Sequence, residues 1–451
     1  MIRFQDKVFK SFLFMFSMVL LSLASAEEQE APPVLTLDAA VQLALSHNRP
    51  LQIANLDVDK ARWQVKDTKT KRLPVFQTYV FGSGMLTSPT FDFPRGVFGN
   101  VQSGSPVPSR NTKISLSQGA TAYVVGQVSQ PLSQLYKIHL GIRQQELAVD
   151  INNEKFRAQR QSTIHDVKQA YYAVLQSESS LQAEQASVKQ YQELDRVVLQ
   201  YISQEAVLKS ESLDVKAKLA QEQYKVVQLQ DTLQTQREQL NNLLGREIDT
   251  PFRTEPVPAE SAEEIDLKLA HQSALSQRPE IRQAELTVKQ AEYDRRTAKA
   301  QYIPDIGLAL HYLSPFNVEI LPKNVASAGI ELNWEPWDWG RRKDDINQKK
   351  VVRDEAEYQL KETQSKVLID VNNRFRKLGE ARMLVTVTQA ARAAATEKLR
   401  EVTDKFEQKS LLLRDVLQQQ AAVAASNADY QQALLSFWSA KADFEKSLGG
   451  D

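Results

Sequence analysis

The chain of 451 residues contains no cysteine. That excludes disulfides, thiolate-ligated metals and a lipid anchor carried on an N-terminal cysteine, so stability must come from packing. Glycine and proline are scarce, at 15 and 17 residues. These are too few to punctuate several ordinary domains, and long uninterrupted elements are expected instead. Neither sign of charge is in excess, with 56 basic and 56 acidic residues and no block of either, which argues against a basic groove for nucleic acid. Beyond residue 26 there is no run of about twenty apolar residues to make a transmembrane helix. His47, His139, His165, His271 and His311 are scattered without metal-ligand spacing. Gly82-Ser83-Gly84 is followed by neither a lysine nor a helix start, so it is not a phosphate loop. No serine or aspartate stands in a catalytic frame. The sequence therefore predicts neither an enzyme nor a cofactor.

The N-terminus, by contrast, is informative. Arg3, Lys7 and Lys10 precede the apolar run 11–23, which ends in Ala24-Ser25-Ala26. This is the charged, apolar and small-residue order of a secretory signal peptide, and residues 1–26 are expected to be removed on export.

The rest of the chain is a duplication. Ala44-Leu45-Ser46 to Pro50, Leu73-Pro74 and Val128-Ser129-Gln130-Pro131-Leu132 reappear as Ala274-Leu275-Ser276 to Pro279, Ile303-Pro304 and Asn333-Trp334-Glu335-Pro336-Trp337. A repeat on this scale fixes the architecture before any local assignment. The first copy spans 35–245 and the second 265–449, with 246–264 as a linker. Each copy begins with helical spacing and then changes to period two. Strands are expected at about 75–86 and 119–130, separated by a loop rich in Gly, Ser, Pro and Asn, and at about 304–313 and 324–335. In the second copy Ile306, Leu308, Leu310 and Tyr312 alternate along one strand. Ala326, Ala328, Ile330, Leu332 and Trp334 alternate along the next, with Ser327, Gly329, Glu331 and Asn333 between them. About ten residues with one apolar face, next to Trp334, Trp337 and Trp339, suit a tilted strand that crosses a bilayer with an interfacial aromatic belt. A half-buried hairpin of a soluble α+β domain would show the same alternation.

Long helical hairpins follow, at about 137–245 and 341–448, broken at 203–212 and 408–413. Val416, Val423, Tyr430, Phe437 and Phe444 are seven apart, as are Val371, Leu378, Val385, Arg392, Leu399 and Phe406. Such heptads indicate coiled-coil packing, and runs of roughly sixty and thirty-five residues correspond to rods of about 90 and 50 Å. Four membrane strands cannot close a barrel alone, because an open edge cannot face lipid and barrels begin at about eight strands. Two copies would supply eight strands and three copies twelve.

The order and duplication of these pieces resemble the TolC family of outer-membrane export factors. Gln130-Pro131-Leu132 and the run from Glu335 to Arg342 (EPWDWGRR) close the strand pairs, and Leu213-Asp214-Val215 and Arg414-Asp415-Val416-Leu417 follow the helix breaks. The resemblance implies a mainly α fold with a small β part, assembled as a homotrimer with a twelve-stranded β-barrel continued by a long α-helical barrel. It implies the outer membrane as location, with the helical part in the periplasm, and as partners outer-membrane lipid, a periplasmic adaptor and an inner-membrane transporter. It places the periplasmic aperture at Asp415, with Arg414 beside it and Gln418 where the family has a second acid. Of the family's lock residues, Asp214 is kept, but Phe406 replaces a tyrosine and Leu411 an arginine. Adaptor docking falls at the tips, on Ser210, Lys409, Ser410, Leu412 and Leu413. The competing readings are a periplasmic coiled-coil protein that never enters the membrane and a stand-alone diffusion porin.

Overall fold

The computed structural model describes residues 33–84, 86–87, 90–115, 119–203, 209–258, 266–318, 322–408, 410–411 and 413–450. The expected signal peptide at 1–26 lies outside them. Helices account for 69% of the described residues, with a small strand part. The elements are, in order, β1 (Val34–Leu35), α1 (Leu37–His47), α2 (Arg49–Thr70), β2 (Val75–Gly84), β3 (Thr90–Phe93), β4 (Thr112–Ser115) and β5 (Ala120–Pro131). Then come α3 (Gln134–Ser203), α4 (Lys209–Leu243), β6 (Arg253–Thr254), α5 (Leu267–Gln277), α6 (Pro279–Ala300), β7 (Asp305–Phe316), β8 (Val325–Asn333), α7 (Arg341–Glu407) and α8 (Leu413–Leu448).

The chain forms two compact units. One comprises the described residues within Met1–Leu51, Arg160–Leu267 and Asn372–Lys446. Its core takes one stripe from each of four helices: Val167, Tyr171 and Val174 of α3, Leu233 and Leu240 of α4, Ala40 and Ala44 of α1, and Leu435 and Ala442 of α8. Spacings of three, four and seven put each set on one helical face. The alanines let α1 approach closely. Tyr171 donates its hydroxyl hydrogen to the Leu35 carbonyl at 2.8 Å and accepts the Glu255 N–H at 2.8 Å. It thereby ties the parallel β1–β6 pair, Val34 to Arg253 and Leu35 to Thr254, onto α3. The second heptad ladder is buried at Leu378 and Val385 but opens further along, where Arg392 is exposed and stacks over Tyr430 at 5.2 Å.

Within this unit α3 and α4 bring two carboxyls together. Glu184 and Glu222 hydrogen-bond to each other, with the Lys225 ammonium 3.8 Å from the first and 2.9 Å from the second. Burial, with the adjacent Glu222, pushes Glu184 above the usual carboxylate range, to about 7, while the hydrogen bond from Glu184 holds Glu222 below its usual value. An unfolded glutamate titrates near ~4.3. Between that pH and about 7 the folded chain therefore binds the extra proton, and this site contributes stability that is present at low pH and lost as pH rises through 7. Glu184→Gln is expected to raise thermal stability at pH 7.5 and to flatten its dependence between pH 5 and 7.5. An unchanged slope in the variant would refute the assignment.

The other unit comprises the described residues within Gln52–Gln159, Lys268–Val371 and Ser447–Asp451. It holds a fully antiparallel sheet in the order β2-β5-β7-β8. The two strand pairs expected from the sequence are joined by the β5–β7 ladder, in which Val125 faces Leu313. The segment expected to be a loop between β2 and β5 contains a ladder of its own, β3 with β4, pairing Phe91 with Ile114. Ser133 positions β7 by donating to the Pro304 carbonyl at 2.6 Å and accepting the Ile306 N–H at 2.7 Å, and Lys137 pairs with Asp305 at 2.6 Å.

Candidate functional site

Antiparallel partners share a face, so the register assigns every sheet residue to a side. One face carries Phe76, Val128, Leu310 and Ala328 in one row, with Gln130, Leu308 and Ile330 in the next row of that face and Ile306 with Leu332 beyond. The other carries Gln77, Gln127, His311 and Ser327, then Ser129, Ala309 and Gly329, then Gly307 and Glu331. Burial separates the two sides along β7. Phe76 is 76% exposed and Ile330 73%, whereas Ala309 on the polar side is 1% exposed. Along β7, Ile306, Leu308, Leu310 and Tyr312 are open while Gly307, Ala309 and Leu313 are half-buried or buried. Along β7 the apolar side is thus the more open and the polar side the more enclosed, apart from exposed His311 and buried Ser314, whereas β2 and β8 are exposed on both sides. A soluble hairpin has the opposite arrangement, because its apolar face is the one covered. Both outer strands also present unpaired edges, β2 and β8, and every residue of each is exposed.

The run that follows β8 is built around Asp338. Its carboxylate accepts the N–H groups of Gly340 and Arg342, both at 3.1 Å, and so caps the start of α7. These backbone donors, that of Arg342 first, hold Asp338 below the usual carboxylate range. Trp339 and Gly340 adopt positive φ, 58° and 92°, to bring those N–H groups round. Arg342 reaches back to Glu335 at 3.1 Å and lies over the Tyr302 ring at 5.7 Å. Trp334, Trp337 and Trp339 are all exposed, and Trp337 meets Trp339 edge to face at 5.8 Å.

Around the helix breaks, Asp415 lies half-buried in the first turn of α8 and Gln418 is exposed, with Val416 and Leu417 buried between them. Arg414 and Leu413 belong to the same turn. Gln190 of α3 donates to the Leu417 carbonyl, which anchors this turn. Phe406 is partly exposed near the end of α7, Leu411 is half-buried and Asp214 is exposed in the second turn of α4. Among the described residues no hydrogen bond or ion pair ties Asp214 to the 406–411 segment. Ser210 and Ser410 are exposed, and Ser410 closes its turn by donating both its N–H, at 3.0 Å, and its hydroxyl, at 2.7 Å, to the Lys405 carbonyl. Lys409 and Leu412 lie outside the described residues.

Sequence reasoning passed over one polar network. His165 sits between Asp166 at 3.0 Å and Asp443 at 2.5 Å, and Asp443 also takes Arg374 at 2.5 Å. The hydrogen bond from His165 holds Asp166 below its usual range. His165 and Asp443 are 278 positions apart, so no local pattern announces the pair. Among the described residues no cluster of His, Asp or Glu is arranged to hold a metal ion, and no helix is long and apolar enough to cross a membrane.

Residues 40–246 and 270–450 match the family described as outer membrane efflux protein. No curated protein sequence matches the chain. Among solved structures, the chain is similar to the Campylobacter jejuni CmeC outer membrane channel, with a TM-score of 0.73 and 16% identity over 92% of this chain and 85% of that one. A membrane protein from Pseudomonas aeruginosa gives 0.73 and 17% over 92% and 90%. The open state of the Neisseria gonorrhoeae MtrE outer membrane channel gives 0.68 and 18% over 92% and 89%. At these identities the likeness is one of fold.

Proposed function

The chain belongs to the outer membrane efflux protein family, and from that premise we propose that it is the outer-membrane duct of a tripartite efflux or secretion system. It is a channel component and not an enzyme. In the proposed assembly, three copies of the four-stranded sheet close a twelve-stranded barrel, with the unpaired edge of β8 in one copy meeting β2 of the next. The helical hairpins of the repeats 35–245 and 265–449 form the wall of a periplasmic tunnel, each repeat with its strand pair acting as one stave. The observation that carries this reading is the sheet itself, with an exposed apolar face, a polar face that is the more enclosed one along β7, and unpaired edges at β2 and β8. Lipid covers such an apolar face, and closure satisfies such edges.

Asp415 is proposed to ring the narrow periplasmic end, where three carboxylates favour cations over anions. Gln418 leaves that end with one acidic ring, and Arg414 next to it moderates its field. Apolar packing around Phe406 and Leu411 is proposed to hold the end closed in place of a hydrogen-bonded lock with Asp214. The tips carrying Ser210, Lys409, Ser410, Leu412 and Leu413 are assigned to an adaptor, which joins the duct to an energised inner-membrane transporter. Trp334, Trp337 and Trp339 are assigned to the inner interface of the outer membrane, consistent with the aromatic preference for that depth.

Cell fractionation tests the reading. The protein is expected in the outer-membrane fraction as a heat-modifiable trimer. Recovery as a soluble periplasmic monomer would support the coiled-coil alternative.

A further inference from the structure

Each strand of the sheet adjoins one helix of the same unit: α2 leads into β2, α3 leaves β5, α6 leads into β7 and α7 leaves β8. The helices keep the order of the strands. Lys69 of α2 pairs with Glu146 of α3 at 3.5 Å, Gln144 of α3 donates to Asp294 of α6, and Glu292 of α6 meets Arg353 of α7 at 4.0 Å. α2 and α7 are therefore the outer helices, as β2 and β8 are the outer strands. Each outer helix carries two stripes. On α2, Val58, Ala61 and Val65 are buried, whereas Ile53, Leu56 and Trp63 are exposed, with Lys60 among them. On α7, Val367 is buried with Arg353 and Leu360 half-buried in line with it, whereas Val351, Tyr358 and Ile369 are exposed, with Glu355 and Glu362 among them. Two residues turn a helix through about 200°. Leu56 and Lys60 stand two positions from Val58, Val351 and Tyr358 two from Arg353 and Leu360, and Ile369 two from Val367. Each exposed stripe thus lies opposite the buried one. The inner helices have no such second stripe: among the described residues of this unit, α6 exposes no large apolar side chain and α3 only Leu135 and Tyr136 at its start.

We propose that the exposed stripe of α2 is the docking surface for the exposed stripe of α7 in a second copy of this chain, with Trp63 and Leu56 packed on Val351 and Tyr358 of that copy and Lys60 facing its Glu355. This rests on the barrel reading above, which joins β8 of one copy to β2 of the next and so sets α7 of the one beside α2 of the other. The two stripes fit in one register. α2 runs toward the sheet and α7 away from it, so they meet antiparallel. Trp63, Lys60, Leu56 and Ile53 step by three, four and three, and Val351, Glu355, Tyr358 and Glu362 by four, three and four. Such steps make the seam of a coiled coil. Trp63 and Leu56 are seven apart, as are Val351 and Tyr358, so a single register makes both apolar contacts and places Lys60 beside Glu355 between them. Among the described residues Glu355 has no ion pair within its own copy, and Lys60 reaches only Asp57, on its own helix, at 2.6 Å. Glu355, Tyr358, Glu362 and Ser365 line a groove of about 680 Å³ that receives Leu56. Within its own copy, Trp63 has the Lys66 ammonium over its ring at 3.9 Å and Tyr358 that of Lys361 at 5.4 Å; long lysine side chains carry such heads aside to water when an apolar group arrives. Complementary stripes on the two outer helices of one chain make a head-to-tail contact, and such a contact closes a ring.

The test is thiol cross-linking of the full-length protein in outer membranes with a short bismaleimide, on a chain that has no cysteine of its own. The double variant Lys60→Cys/Glu355→Cys replaces two exposed polar side chains and leaves the apolar layers of the seam intact. It is expected to give covalent dimers and trimers on denaturing gels, and Trp63→Cys/Val351→Cys should do the same. Each single variant has one thiol per copy and should stay monomeric on those gels, because a head-to-tail contact never brings a residue against itself. A link inside one copy is out of reach, since α3 and α6 stand between the two positions and neighbouring helices are about 8–10 Å apart. Unheated gels report assembly independently. Trimers that assemble but give no cross-linked species in either double variant overturn the seam and leave the barrel reading standing. Cross-linking by a single variant means a self-symmetric contact and overturns it too. A wild-type protein that forms no trimer overturns the barrel reading, and the proposal with it. Lys60→Glu is expected to lower the temperature at which the trimer comes apart, and adding Glu355→Lys to restore most of that loss. A double charge variant no better than Lys60→Glu alone overturns the pairing of these two residues.

Discussion

Leu310→Arg is expected to abolish the outer-membrane trimer, while Gln77→Arg is expected to leave it assembled. The two residues sit in adjacent rows of one sheet, on opposite faces. Leu310 shares its row with Phe76, Val128 and Ala328, on the face assigned to lipid, and Gln77 shares its row with Gln127 and His311. An arginine facing lipid near the middle of the bilayer costs about 2–4 kcal/mol, and three symmetry-related copies raise that to roughly 6–12 kcal/mol. This is comparable with the whole stability of an ordinary fold, about 5–15 kcal/mol. On a water-filled wall the same charge stays hydrated. Immunoblots of unheated outer-membrane fractions read the outcome directly. Normal trimers of Leu310→Arg together with loss of Gln77→Arg would mean that the faces are reversed.

The second large effect lies in the helical unit. Gly245 closes α4 with a Schellman motif: its N–H binds the Asn242 carbonyl at 3.1 Å, and the Arg246 N–H binds that of Asn241 at 3.2 Å. Its φ is +70°, and a β-carbon there would come within 2.3 Å of the His47 carbonyl oxygen and 2.7 Å of its carbon. The opposing atoms are backbone, held by Asn48, whose side-chain amide donates to the Leu243 carbonyl at 2.9 Å. Gly245→Val therefore combines the left-handed penalty of about 1–2 kcal/mol with displacement of α1 from the core. A total beyond about 4 kcal/mol is expected, in the range that marks a specific structural defect. Gly340→Ala is the control, since φ there is +92° but nothing lies within 4 Å of the added carbon. Thermal unfolding of the detergent-solubilised protein should fall far more for Gly245→Val than for Gly340→Ala. Equal losses would contradict the close approach.

What the sequence disclosed, and what it withheld, follows from the range of the interactions. Alternation at Ile306, Leu308 and Leu310 and at Ala328, Ile330 and Leu332 is a local property of each strand and reads directly from the chain. The long helices are equally legible, because their interiors lack proline. The β5–β7 ladder joins residues such as Val125 and Leu313, far apart in the chain, and no nearby residue encodes it. The β3–β4 ladder is hidden by the glycine, serine and proline around it, although Phe91 and Ile114 pair across it. The His165–Asp443 pair and the Glu184–Glu222 pair are built from residues that look like ordinary charges on a solvated helix. Only the packing of one helix against another makes them special. Asp415, Phe406 and Leu411 are placed by resemblance alone, and the roles proposed for them lie between copies of the chain, beyond any pattern within one copy.

The central claim is that the apolar face of the sheet meets lipid and the polar face meets water. The chain has no cysteine, so single cysteines can be introduced without background. Cysteine placed at Ala328, Ile330 and Leu332, and separately at Ser327, Gly329 and Glu331, should be probed in outer membranes with a small charged thiol reagent. The account predicts labelling at 327, 329 and 331 and protection at 328, 330 and 332. Labelling of the second set as strong as the first would contradict it.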